Sequence, residues 1–564
     1  MIQAERFRSW LVFMNAKEQA YKYAVKNAFL HNGKASASAV VGKLKALNPD
    51  MEAGELFPIA QAAVKEVSSL STEKLEAEYK RFEAEGFELK PKPKKEGLPE
   101  LEWAEKGKVV TRYAPNPNGP MHLGSARAAI LSHEYARKYH GKFLLRFDDT
   151  DPKVKKPIKD PESVFLDELG WLGCKVDRVF FASDRLQVYE SYMEKLLKAG
   201  HAYVCTCTPD EWRAKIRKEK ACKCRELPPK KQLERFKKMR DHKFKEGKAV
   251  LRIKTSLSHK DPSVRDWWVA KVVDNPVHPR ASVEQHLWPS YNFASAIDDH
   301  ELGVTLIIRG QEHQQNETKQ LFLYNYFGWE YPHSIYTGRV MLEKAVLSTS
   351  KIREGIEKGV YIGWSDPRLG TIAALRRRGF QSETIRKIIL AIGTKPNDTT
   401  IEWDYLASEN RRLLEGKAEK VSALNEPFKL VVKGGPAKKV SYGGRVVVLQ
   451  EGLQDFFVEK QAIERSTGMV LRLRNAYNVK VKKVSELYAI AEFAGDKKTE
   501  PVIPWISEEA EIEITMPDAT KEKKIVDSTV LKKKPGEIIF IDHFGYCRVD
   551  SREAKKVLAW FAHR

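Results

Sequence analysis

Cysteine is scarce: six in 564 residues, too few for a disulfide framework and so a poor match to a secreted, cross-linked fold. Long apolar runs are missing as well, none approaching the ~20 residues of a membrane-spanning helix. The start, Met1-Ile-Gln-Ala-Glu-Arg-Phe-Arg8, mixes charges where a secretory leader would carry an apolar segment and a small-residue cleavage site. No internal repeat of solenoid length stands out. These absences point to a cytoplasmic protein that does not enter membranes. Wholesale disorder is excluded too, because 42% of the residues are hydrophobic and 10% aromatic.

What the chain has in excess is positive charge, a formal +22 with a pI near 9.4. Such a surplus fits a polyanionic partner, most often nucleic acid, and equally a merely soluble basic protein. At roughly 150 residues per domain the length allows about four domains.

Residues 1 to about 88 carry helical patterning. Leu75, Tyr79 and Phe82 recur at i, i+4 and i+7 in a segment with neither Gly nor Pro from 59 to 84. The run Lys90-Pro-Lys-Pro-Lys-Lys-Glu-Gly97 reads as a stiff, charged linker. From about 108, short apolar runs alternate with amphipathic helices: Val109-Val110, a helix over 125–139, the strand Phe143–Phe147, then Thr305–Arg309 and a helix over 316–326. Strand, helix, strand predicts a parallel α/β sheet. A Lys/Arg-rich region with four Cys, about 203 to 250, interrupts it, and 368–420 reads as basic and helical. From about 428 short β-like runs take over (445–449, 469–473, 511–515, 537–541), the texture of barrels or sandwiches.

The stretch Thr111-Arg-Tyr-Ala-Pro-Asn-Pro-Asn-Gly-Pro-Met-His-Leu-Gly-Ser125 holds a strand end, a proline-stiffened loop and a helix start. That is a recipe for a nucleotide site, since helix N-terminal N–H groups face phosphate. Gly124 lets a base approach the backbone, and His122 can donate to a phosphate oxygen as charge builds. A second loop, Leu347-Ser-Thr-Ser-Lys-Ile352, suits a clamp on triphosphate. Lys351 supplies a point charge there, and Ser348 and Ser350 supply donors.

These two elements resemble the HIGH and KMSKS elements of the class I aminoacyl-tRNA synthetases. With Arg146-Phe-Asp-Asp-Thr-Asp-Pro152, Tyr291-Asn-Phe-Ala-Ser-Ala-Ile-Asp-Asp-His-Glu-Leu-Gly-Val-Thr305 and Ile308-Arg-Gly-Gln-Glu-His313, the sequence is similar to the glutamyl-tRNA synthetases of archaeal and eukaryotic cytosolic type, over about four-fifths of the chain. The resemblance implies a multidomain α/β-plus-β protein. Its parts are an N-terminal helical appendage and linker (1–97), a Rossmann catalytic domain in two halves (98–202 and 286–350), an inserted acceptor-stem-binding domain (203–285), a helical stem-contact domain (351–425) and anticodon-binding β-barrels (426–564).

It also implies a two-step reaction: glutamate and ATP, with Mg2+, give glutamyl adenylate, and the 2′-hydroxyl of the terminal adenosine of tRNA-Glu then takes the acyl group. Arg112 and Arg309 would hold the glutamate side chain and Asp148 face its amino group, with Ala114, Asn116, Tyr291 and Ser295 lining the pocket. His122, Gly124, Ser125, Ser348, Ser350 and Lys351 would meet ATP, with His122 and Lys351 in catalytic roles. Three departures stand out: Ser125 replaces the second His of the HIGH element, the clamp loop has one lysine, and nothing accounts for Leu306.

Asp-Asp-Thr-Asp-Pro and Arg309 favour the glutamyl over the related glutaminyl enzymes, and a catalytically silent RNA-binding paralogue is the rival of another class. Whether tRNA-Gln is a second acceptor stays open. Cys205, Cys207, Cys222 and Cys224 form CxC-x14-CxC, which fits a structural zinc site and also reduced, unmetallated thiols. The basic stretch Arg213–Lys248 and the barrel residues Arg472, Arg474, Lys480 and Lys482 fit RNA phosphate as well as solvated faces. The N-terminal helical segment reads as a docking module for a partner or as a tRNA-supporting appendage.

Overall fold

The computed structural model describes every residue except 1, 31–32, 49–50, 86–96 and 443–444. The chain forms two units, Met1–Glu96 and Gly97–Arg564. The proline-lysine linker lies outside the described residues apart from Gly97.

The first unit is a bundle of four helices, Ile2–Leu30, Ala37–Leu47, Ala53–Ser68 and Thr72–Ala84. Ala16, Ala20, Ala24 and Ala28 recur every fourth residue on the longest helix and are fully buried, a stripe of small side chains that lets neighbouring helices approach closely. The third helix starts in a reciprocal capping box of Glu52 and Glu55, and the Ser71 hydroxyl caps the fourth. The fourth helix buries Leu75, Tyr79 and Phe82, the face its periodicity predicts.

In the second unit, five parallel strands form one sheet: β1 (Val110–Tyr113), β2 (Lys142–Phe147), β3 (Arg178–Phe181), β4 (Leu306–Gly310) and β5 (His333–Thr337). Their order is 3-2-1-4-5. The order reverses between β1 and β4, and in open sheets of this kind ligands bind beyond the carboxyl ends of the strands at that point. Thr111 of β1 pairs with Leu306 of β4. The insertion between β3 and β4 builds its own antiparallel sheet, Ala202–Cys205, Val250–Ile253, Trp268–Val272 and Leu287–Pro289, with the helices Pro209–Arg217 and Pro229–Arg240.

Residues 368–420 are less uniformly helical than their sequence suggests. The helices Ile372–Arg378, Ser382–Ile392 and Trp403–Leu414 are joined there by Thr399–Ile401, a three-residue strand pairing with Val340–Leu342. Beyond them lie two seven-stranded sheets. In one, the terminal strands are Glu419–Val421 and Ala423–Leu424; in the other, Val502–Ile503 and Trp505–Ile506. In each case the two edges are consecutive in the chain, so each sheet curls into a nearly closed barrel. The run at 445–449 belongs to neither and pairs with Lys438–Tyr442 as a separate hairpin.

Candidate active site

At the switch point lies a cleft of about 660 Å3 whose wall includes Arg112, Asn116, His122, Tyr291, Arg309 and Ser348. Ala114, Gly124 and Ser125 border it too. His122 is the N-cap of the helix Leu123–Lys138, two residues before the start its sequence suggests. Its Nδ1 accepts the Ser125 N–H at 3.2 Å, while the Ser125 hydroxyl accepts the His122 N–H at 3.0 Å and donates to the His122 carbonyl at 2.9 Å. Burial lowers the imidazole pKa to about 4. The ring is therefore neutral at physiological pH, and because Nδ1 accepts, Nε2 carries the proton and can donate. Ser125, in the place of a second histidine, thus spends its hydroxyl on the cap. Gly124 is needed for packing: a Cβ there would stand 2.9 Å from the Val340 carbonyl and 3.1 Å from the imidazole.

Below the cleft runs a buried chain of charges. Arg112 donates to both carboxylate oxygens of Asp299, at 3.1 and 3.3 Å. Arg146 donates to Asp299 at 2.7 Å and to Asp148 at 2.9 Å. Asp298 accepts from Arg185 and from the Tyr189 hydroxyl, each at 2.6 Å. Burial works to raise Asp299, but the Arg112 and Arg146 guanidiniums outweigh it and hold the carboxyl below its usual range. Burial wins at Asp148 and pushes it up to about 6 against the pull of Arg146. Asn116 donates to the Asp148 carbonyl at 2.8 Å. Among the described residues, Asn116 Oδ1, Asp148 Oδ2 and Arg146 Nη2 are buried without a hydrogen-bond partner.

The two arginines expected to hold one carboxylate are not equivalent. Arg112 already has a carboxylate in bidentate geometry. Arg309 sits among neutral groups, donating to Tyr331 at 3.0 Å, Tyr336 at 3.2 Å and Gln320 at 3.4 Å, with Glu317 at a long 3.5 Å. It is 5% exposed and its Nε has no partner among the described residues. Ser295 does not line the cleft: it is buried one layer behind, where its hydroxyl accepts from Gln320 at 2.7 Å. Tyr291 opens the helix Tyr291–Glu301 at the cleft wall.

Of the second loop, Leu347, Ser348 and Thr349 border the cleft, while Ser350 and Lys351 do not. Lys351 is exposed in the first turn of the helix Thr349–Glu357, and Ser350 shares a hydrogen bond with Ser348 at 3.2 Å. Arg353, which sequence reasoning passes over, donates to the Asn118 carbonyl and ties this helix to the first loop.

In the insertion, the four thiols of Cys205, Cys207, Cys222 and Cys224 lie within 4.8 Å of one another, at the foot of helices whose Arg213, Arg217, Lys218, Lys237 and Lys238 are exposed. The barrels treat their basic residues differently. Arg472 pairs with Asp496, Lys482 with Glu492 at 2.7 Å, and Arg474 reaches Asp542 of the other barrel at 2.8 Å. Three of the four strand cations are therefore engaged within the protein.

Asp298, Asp299, Arg146, Gln320, Tyr331 and Tyr336 complete the site; the first three stand within the motifs that carry the resemblance but without an assigned role, and the last three lie in none of them. A signal was present for two of them. Asp298-Asp299 follows the apolar turn Phe293–Ile297 on a buried helix face, and acids placed there demand buried cations. The tyrosines come from the segment around β5, whose place beside β4 is a matter of topology alone.

Residues 108–416 match the family model described as tRNA synthetases class I (E and Q), catalytic domain. A glutamate–tRNA ligase of Thermococcus kodakarensis is 45% identical, the alignment covering 97% of this chain and 99% of the relative. The Pyrococcus furiosus glutamate–tRNA ligase is also 45% identical, over 98% of this chain and 100% of its own length. At 41% identity, the Sulfurisphaera tokodaii glutamate–tRNA ligase is covered to 99%. No helix among the described residues is long and apolar enough to cross a membrane. A five-stranded 3-2-1-4-5 sheet, a histidine-capped helix at its switch point and a match of this length agree: the chain belongs to the class I tRNA synthetases, in the glutamate–tRNA ligase family.

Proposed function

We propose that the protein ligates L-glutamate to tRNA-Glu at the expense of ATP. The observation that carries this reading is Arg309, a buried guanidinium at the cleft wall whose nearest partners are the neutral Tyr331 and Tyr336, with one carboxylate, Glu317, at 3.5 Å. The side-chain carboxylate of glutamate supplies a second counter-charge from the cleft side. A neutral carboxamide would leave that cation with Glu317 at 3.5 Å as its sole counter-charge, an under-compensation by which a site rejects a near-isostere. Arg112, held by Asp299, stiffens the same wall. Asp148 does not itself line the cleft but keeps one buried oxygen unpartnered beneath it, and a substrate ammonium reaching that oxygen would draw its pKa down from about 6 into the ionised range. The glutamate α-carboxylate then attacks the α-phosphorus of ATP and pyrophosphate leaves. His122 Nε2–H donates to the phosphoryl oxygens as their charge grows, and the Ser348–Lys351 loop closes over the triphosphate from the other side. Mg2+ bound to ATP would screen its phosphate charge. In the second step the terminal 2′-hydroxyl of the tRNA attacks the acyl carbonyl and AMP leaves.

The test is to charge tRNA-Glu and tRNA-Gln transcripts with labelled glutamate and, separately, labelled glutamine. Glutamate on tRNA-Glu is the expected product, and glutamate on both would make the enzyme non-discriminating. Glutamine alone on tRNA-Gln would overturn the pocket assignment, and no charging at all would leave an RNA-binding paralogue.

The four cysteines fit structural zinc. A tetrahedral ion with Zn–S bonds of about 2.3 Å has S···S edges near ~3.8 Å, and Cys205 Sγ and Cys222 Sγ stand 4.0 Å apart. With four thiolates no position is open for chemistry, so the metal would brace the insertion that presents its exposed lysines and arginines to RNA. Freshly purified protein should carry about one zinc per chain, and Cys222→Ser should abolish it; elemental analysis that finds no zinc in the parent protein removes the proposal.

A further inference from the structure

Both signature elements of the cleft are hydrogen-bonded to one short segment, residues 369–372. The Leu123 N–H donates to the Gly370 carbonyl at 3.0 Å, and the Ile372 N–H to the Met121 carbonyl at 2.9 Å, so that His122 and Thr371 form a β-bridge. On the other side, the Gly370 N–H donates to the Val346 carbonyl at 3.3 Å, just before the Leu347–Lys351 loop. Thr371, beside His122, is also the N-cap of the helix Ile372–Arg378.

That helix ends in three arginines, each gripping a different place. Arg376 donates to Asp167 of the helix Pro161–Trp171 at 2.7 Å. Arg377 forms a bidentate pair with Asp550, at 3.0 and 2.8 Å, holds the Ser365 hydroxyl at 2.9 Å and lies over the Trp560 ring at 4.1 Å. Arg378 donates to the Ala562 carbonyl at 3.0 Å. Asp550, Trp560 and Ala562 all lie on the strands Gly545–Arg552 and Lys556–His563 of the second barrel. A cavity of about 660 Å3, with Pro120, Glu168, Trp364 and Arg548 in its wall, lies beside this joint. The barrel is also seated by an apolar cluster of Leu414, Ile538, Tyr546 and Ala562 and by an Asn410–His563 hydrogen bond at 2.9 Å, and the Arg377–Asp550 fork is the ion pair that fixes its direction beside the cavity. Arg–carboxylate forks fix geometry as well as energy.

We propose that Arg377 is a positioning residue for the ligation reaction: through its fork with Asp550 it sets the helix Ile372–Arg378, and through Thr371 that helix sets His122. The distal barrel thereby tunes the chemical step without touching any reactant. The inference rests on the proposed function, and the parent protein's charging activity tests that reading separately.

The experiment compares the full-length parent with Arg377→Lys, Asp550→Asn, Asp550→Glu, the Arg377→Lys/Asp550→Asn double variant and the exchanged pair Arg377→Asp/Asp550→Arg. Glutamylation of a tRNA-Glu transcript is measured, with melting temperatures recorded. Each single variant should lower kcat about tenfold while the KM for tRNA stays within about twofold, as displacing a reacting group without removing a binding contact does. The double variant should be no worse than either single one, and the exchanged pair should recover most of the loss. Asp550→Glu keeps the charge and moves it by one methylene, so it reports displacement even if the other variants fold poorly. A raised tRNA KM at unchanged kcat would overturn the proposal, because the pair would then serve RNA contact alone. So would an exchanged pair as slow as its singles, or additive losses in the double variant.

Discussion

Arg309→Ala should lower kcat/KM for glutamate by about a hundredfold, with the Kd for tRNA-Glu within about twofold of the parent. Charge-assisted hydrogen bonds are worth about 1.5–3 kcal/mol each and tenfold costs about 1.4 kcal/mol, so two bonds to the substrate carboxylate reach that range. Removing the guanidinium also strips the Tyr331 and Tyr336 hydroxyls and Gln320 of a donor. Those groups can turn to one another: Tyr331 already donates to Gln320 at 2.7 Å. The cost to stability should be small beside the cost to glutamate use. Arg309→Lys should fall between parent and alanine variant, because an ammonium keeps the charge and loses the fork. Steady-state charging with labelled glutamate, alongside tRNA binding, checks this. Unchanged glutamate kinetics would move the carboxylate contact to Arg112 and remove the argument for glutamate over glutamine.

His122→Asn should slow adenylate formation by about a hundredfold or more, the usual cost of deleting one donor aimed at developing charge, at nearly unchanged melting temperature. The choice of asparagine separates two roles that the histidine combines. Asn is among the best N-caps and can accept the Ser125 N–H as Nδ1 does. It does not reproduce the Nε2–H on the far side of the ring. Alanine would lose both and confound them. Pyrophosphate exchange with tRNA present, followed against a melting curve, distinguishes the outcomes; equal rates in Asn variant and parent would take His122 out of the reaction.

The same residue gives the protein a pH signature. Its folded pKa, about 4, lies below the ordinary 6.5. The unfolded chain therefore binds the proton first, and the stability tied to the neutral ring is complete above pH 6.5 and is lost as pH falls toward 4. Protonation also removes Nδ1 as the acceptor of the cap. The asparagine variant should show a shallower fall in melting temperature across that window.

The letters of the cleft were legible in the sequence, and their pairings were not. Apolar runs around β1, β2 and β4 and the helix after His122 follow from local pattern. The stretch ending in His-Leu-Gly-Ser reads as a helix start, while the helical run counted from Ser125 begins two residues late, because a histidine–serine capping box is a rarer signal than Ser, Thr, Asp or Asn at that place. Thr399–Ile401 is too short to have a period. Arg112 and Arg309 looked alike because sequence does not reveal which carboxylate each will meet: Asp299, 187 residues from Arg112 in the chain, decides it. Ser295 read as a lining residue from its motif, yet its place on the helix turns it behind Gln320. Lys351 read as a clamp and stands exposed at a helix start. In the barrels, Arg472, Arg474 and Lys482 fitted RNA phosphate as well as solvated faces, and Asp496, Asp542 and Glu492 pair with them.

The adjacency of β1 and β4 also has a consequence for how this protein is made. The Val110 N–H donates to the Thr305 hydroxyl across 195 residues of chain. At about 5–20 residues per second, a ribosome needs roughly 10–40 s to supply β4 after β1 has emerged. For that time a nascent sheet exists with one open, apolar edge, while the insertion is synthesised and folds on its own strands. The cleft cannot form before β4 joins β1, so a translational pause or a slow codon run within the insertion lengthens the period in which that edge can pair with the wrong chain.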